Sequence, residues 1–64
     1  MTDTQYKTVS KAMAYLRPSE SDEEARSKWS DAVWYLTEQF DKLDPGVFDR
    51  GEFLDECYAV SPTL

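Results

Sequence analysis

Cys57 is the one thiol of a 64-residue chain that contains no histidine. A cysteine nucleophile needs a neighbouring base, usually imidazole, to draw off its proton. One thiol without histidine also falls short of the donor set that zinc prefers. Asp55 and Glu56 are neighbours in sequence, and on a helix such neighbours diverge. No glycine-rich loop is present to cradle a phosphate. Covalent, acid–base and metal-assisted catalysis all lack a necessary group, so the expectation is a protein that is not an enzyme and takes no cofactor. Cys57 reads as a small core residue.

Residues 41–52 echo a calcium loop. Asp41, Gly46, Phe48, Asp49 and Glu52 fall at its first, sixth, eighth, ninth and twelfth positions. The third and fifth positions, which need oxygen-bearing side chains, hold Leu43 and Pro45. Helix capping accounts for Asp49 and Glu52 without an ion, and no metal is expected.

Trp34 offers binding chemistry instead. It lies in a helical segment whose apolar stripe comprises Ala25, Trp29, Ala32, Val33, Leu36, Phe40 and Leu43. At about 100° per residue Trp34 falls roughly 150° from the middle of that stripe. Its helical neighbours there are Asp31, Glu38 and Asp41, and Tyr35 sits at the boundary beside Lys28 and Lys42. Aromatic anchors ringed by polar groups are typical of protein interfaces. Trp34, Tyr35, Asp31, Glu38 and Asp41 are therefore the candidate partner-binding residues. The competing reading is that a third helix, or the tail through Tyr58 and Val60, folds over Trp34.

Three helices must position these groups. The first spans about residues 4–17: Tyr6, Val9, Met13 and Leu16 share one stripe, and Pro18 stops it. The second spans about residues 22–43. Ser21 and Glu24 have capping-box spacing, and Asp22, Glu23 and Glu24 suit the positive end of the helix dipole. Asp44, Pro45 and Gly46 end it. The third spans about residues 50–58, with Asp49 and Glu52 as a second capping box and Phe48 and Phe53 as a hydrophobic staple. Residues 59–64 are expected to fray, with Pro62 blocking further helix. The fold class is all-α, one small domain over residues 1–64, arranged as a helical hairpin with a short third helix packed across it.

Charge narrows the partners. The net charge of −6 is uneven: in residues 1–28 five acids meet five bases, whereas in residues 29–64 eight acids meet only Lys42 and Arg50. Such a surface repels nucleic acid and anionic membrane and attracts basic proteins. No segment approaches the roughly 20 apolar residues of a membrane span, nor the apolar run of a signal peptide. A cytoplasmic protein is expected, and a lone cysteine fits a reducing compartment.

Asp44-Pro45, Phe48-Asp49-Arg50, Phe53-Leu54 and Cys57 resemble the C-terminal segment of small hypothetical proteins of actinobacterial phages and their hosts. There the pattern runs Asn/Asp-Pro-x-Phe-Asp-Arg-x-x-Phe-Leu-x-x-Cys, usually followed by glycine. This chain has two residues, Gly46 and Val47, between proline and phenylalanine, and Tyr58 where glycine is usual. The resemblance implies a phage or actinobacterial source, and hence the host cytoplasm. It brings no activity and no functional residues.

The function expected is a non-enzymatic protein–protein interaction module, such as a phage factor that binds or inhibits a host protein. An acidic mimic of nucleic acid is a second reading, with Asp31, Glu38 and Asp41 joined by Asp49, Glu52, Asp55 and Glu56 in place of phosphates. A self-associating structural protein, as a homodimer, is the third.

Overall fold

Capping chemistry sets every helix start. In a computed structural model, which describes residues 2–59, the chain forms α1 (Asp3–Tyr15), α2 (Glu23–Leu43) and α3 (Arg50–Cys57). Residues 60–64, with Val60 and Pro62, lie outside the described residues. Thr2 caps α1. Its hydroxyl accepts from the Gln5 amide at 3.2 Å while the Gln5 side chain accepts from the Thr2 amide at 2.7 Å, so the helix starts earlier than expected.

At α2 the cap is Asp22 rather than Ser21. The Asp22 carboxylate accepts from the Ala25 amide at 3.1 Å, and a charged acceptor suits the positive helix end better than a hydroxyl. Ser21 is engaged with Ser19, hydroxyl to hydroxyl at 2.9 Å. Asp49 caps α3 as expected, accepting from the Glu52 amide at 3.1 Å, but the Glu52 side chain pairs with Lys7 and does not close the expected box. The Phe48 and Phe53 rings close the staple at 5.3 Å. Between α2 and α3, Gly46 adopts φ +89°, a left-handed conformation that costs other residues about 1–2 kcal/mol.

The core comprises Tyr6, Trp29, Val33, Phe48, Phe53 and Cys57, flanked by Val9, Met13, Leu36, Phe40 and Leu54. Tyr6, Phe40, Phe48 and Phe53 form one edge-packed aromatic group, with ring centroids 4.8–5.6 Å apart. Tyr6 beside Phe40, and Trp29 Nε1–H donating to the Met13 carbonyl at 2.8 Å, make α1 and α2 antiparallel. Large side chains hold those two backbones apart. The α3 backbone approaches both more closely than they approach each other. Small, fully buried Ser10 on α1 suits that approach, its hydroxyl donating to the Lys7 carbonyl at 2.9 Å.

The buried arc of α2 is not the expected stripe. Trp29, Val33, Leu36 and Phe40 face inward, but Ala32 is exposed and Leu43 is 62% exposed, as is Leu16 at 63% on α1. Thr37 takes their place and is fully buried, its hydroxyl donating to the Val33 carbonyl at 2.8 Å. The physical reason is the position of α3. It contacts α2 through Ser30–Tyr58 and Asp41–Arg50. Both pairs lie on the Trp34 side of Val33, so the buried arc turns that way.

Candidate functional site

Because the buried arc centres on Val33, Trp34 lies about 100° from its middle rather than the roughly 150° expected from the stripe. It remains 46% exposed. The Ser30 and Tyr58 hydroxyls lie 2.8 Å apart on one side of it, and Arg50 meets Asp41 at 3.7 Å on the other. Leu54 stands one helical turn from both Arg50 and Tyr58, so the register sets it level with Trp34 and Thr37. Trp34 therefore stands at the rim of the α2–α3 seam, with about half its surface open. Tyr58 does not cover it: that ring lies edge-on to Trp29 at 5.0 Å.

The other candidates divide into two groups. Asp31 and Glu38 are exposed and Asp41 half-buried, and helical spacing places all three on the Trp34 side of α2. Tyr35, 65% exposed, lies about 100° further round, toward Lys28 and Lys42. Asp31, Trp34, Glu38 and Asp41 form one surface, and Tyr35 borders it without facing α3. Glu38 and Asp41 also border a shallow depression with Lys42 and Arg50.

Sequence reasoning missed a cleft that continues this surface toward the start of α2. Glu20, Glu23, Arg26, Ser27, Trp29, Ser30 and Tyr58 line it. Arg26 donates to the Pro18 carbonyl at 3.3 Å, and Arg17 to the Tyr58 carbonyl at 2.9 Å. The usable signal was the spacing of Glu23, Ser27, Ser30 and Trp34, a polar row ending in tryptophan. What it lacked was the position of Tyr58.

Cys57 is buried, and the carboxylates considered for calcium have partners of their own. Cys57 is fully buried, and burial, with the nearby Glu56 charge, pushes its thiol up to about 11. Neutral pH leaves it protonated and poorly nucleophilic. Within residues 41–52, Asp41 pairs with Arg50, Asp49 caps α3, and Glu52 pairs with Lys7 at 3.5 Å. Asp44 accepts from the Tyr6 hydroxyl, and this bond holds its carboxyl below the ordinary value. Burial, then the bond to Asp44 and its charge, push Tyr6 up to about 12. Among the described residues no three acidic or sulfur side chains converge as a metal site. Nor is any helix there long and apolar enough to cross a membrane.

Compared with known proteins, the chain matches no family model, no curated protein and no solved structure. The resemblance at residues 44–57 therefore rests on those residues alone.

Proposed function

We propose that the protein is a non-enzymatic interaction module whose contact surface is the Trp34 side of α2, with Asp31, Glu38 and Asp41 around the indole and Tyr35 at its border. One observation carries the reading: a tryptophan beside the core keeps 46% of its surface open although three helices pack around that core. A large aromatic left half open yields its burial energy to whatever covers it, and such residues dominate binding energetics. The partner is a protein, and the uneven charge favours a basic one. In the phage setting that residues 44–57 suggest, the partner is a host protein.

The acidic-mimic reading draws less support. Of the carboxylates that would stand for phosphates, Asp41 and Glu52 are paired with bases and Asp49 is a helix cap. Self-association draws on Leu16, Leu43 and Tyr35, which are exposed away from α3.

The test is capture by the tagged protein from an actinobacterial lysate, in parallel with a Trp34→Ala variant of matched helicity. A protein retained by the wild type and lost with the variant supports the reading, with an expected weakening of about 2 kcal/mol or more. Equal capture by both would overturn it.

A further inference from the structure

Acids outnumber bases on the Trp34 side of the molecule: Glu20, Glu23, Asp31, Glu38 and Asp41 lie there with Arg26 and Arg50, and Lys42 stands at the edge. Glu20, Glu23, Asp31 and Glu38 have no ion-pair partner among the described residues. Arg26 lines the cleft itself and donates to the Pro18 carbonyl, so two carboxylates there face one guanidinium; Arg17 donates to the Tyr58 carbonyl, Lys28 pairs with Glu24 at 3.4 Å and Arg50 with Asp41. The row Glu23, Ser27, Ser30, Trp34, Glu38 and Asp41 keeps to one side of α2 for about 27 Å. An aromatic pair bounds its cleft end, Tyr58 against Trp29.

We infer that this seam seats a basic, amphipathic segment of a partner protein, with two attachment points. An apolar side chain rests on Trp34 beside Leu54. A lysine or arginine of the same segment enters the cleft, its charge between Glu20 and Glu23 and its stem or guanidinium plane against the Tyr58 ring. Charge complementarity selects this occupant over a second copy of the chain. A copy would bring its own acidic surplus, and its exposed apolar residues on the other side of α2 are flanked by only two lysines, one of them already paired. Cations stack favourably on tyrosine when carboxylates lie nearby. The inference rests on the proposed role of Trp34 and adds the chemistry of what docks there.

The test uses a synthetic 18-residue amphipathic peptide of leucine, alanine and arginine, and its counterpart with glutamate in place of arginine. Binding is read by amide and indole NMR shifts of the full chain at low and high salt. The basic peptide is expected to shift Glu23, Ser27, Ser30, Leu54, Tyr58 and the Trp34 indole, and to weaken at least about tenfold in high salt. The acidic peptide is expected not to bind. A Glu20→Gln/Glu23→Gln variant should weaken binding roughly fivefold, and Trp34→Ala at least about thirtyfold. If Trp34→Ala abolishes binding while the double glutamine variant and salt change nothing, the cleft assignment fails and the Trp34 reading survives. Shifts confined to Val9, Leu36 and Leu43, or equal binding of both peptides, would overturn the inference.

Discussion

Trp29 and Trp34 stand on one helix, five residues apart, and meet different fates. Trp29 is 7% exposed, with its indole N–H on the Met13 carbonyl and its ring against Tyr58. Trp34 is 46% exposed at the rim of the α2–α3 seam. Five residues turn a helix by about 500°, so the two rings point about 140° apart. The first joins three helices into one core, whereas the second faces outward among carboxylates. The same side chain is core in one place and half open in the other, and the position of α3 decides which.

The sharpest way to break this contrast is Trp29→Ala. Removing that ring and its hydrogen bond should cost about 3–5 kcal/mol, enough to unfold most of so small a domain. Circular dichroism and urea titration check it, and native helicity with an unchanged midpoint would mean that Trp29 is not the joint described. Gly46→Ala is a milder probe of what brings α3 back to the core. A Cβ there meets no atom within 4 Å, so the cost is the left-handed backbone alone, about 1–2 kcal/mol. Loss should appear as a lower urea midpoint with the native spectrum kept.

The pH dependence belongs to the core, at the Tyr6–Asp44 contact, and not to the Trp34 surface. Asp44 is held below its ordinary 3.8 in the folded chain, so the stability it contributes is present above that value and lost as pH falls through the folded value. Tyr6 is raised from 10.0 to about 12, so its contribution is full below 10 and lost as pH rises through about 12. Thermal melts across pH should fall at both ends, and Asp44→Asn should flatten the acid limb. An unchanged acid limb in that variant would separate Asp44 from the fold. Smallest of all is Thr37→Val. Its hydroxyl bonds only within its own helix, and an apolar residue of the same shape should change stability by less than about 0.5 kcal/mol. A loss of several times that would show that the hydroxyl joins the α2–α3 contact.

All three helices were legible because their punctuation is chemical: Pro18, the Asp44-Pro45-Gly46 stop, Asp49 as a cap, and Phe48 with Phe53 as a staple. The Thr2–Gln5 capping box is legible too, by the same three-residue spacing as Asp49 and Glu52. Ser10 and Thr37 were not legible as core. A hydroxyl that bonds to a carbonyl of its own helix packs as an apolar group, but hydrophobic periodicity counts it as polar. Leu16 and Leu43 fit a stripe by spacing and stayed outside, since periodicity gives the face of a helix without saying which neighbour arrives or from which side. The candidate site inherited that gap: Asp31, Trp34, Glu38 and Asp41 share a face by spacing alone, whereas the cleft at Glu20 and Glu23 needs Tyr58 from a distant part of the chain.

The division of labour between the two tryptophans is tested most directly by acrylamide quenching of single-tryptophan variants. In Trp29→Phe, which keeps Trp34, emission should be red-shifted and quenched several times more efficiently than in Trp34→Phe, which keeps Trp29 and should stay protected until urea unfolds it. Equal quenching in the two folded variants, or a Trp34 protected as well as Trp29 at every protein concentration, would contradict the account.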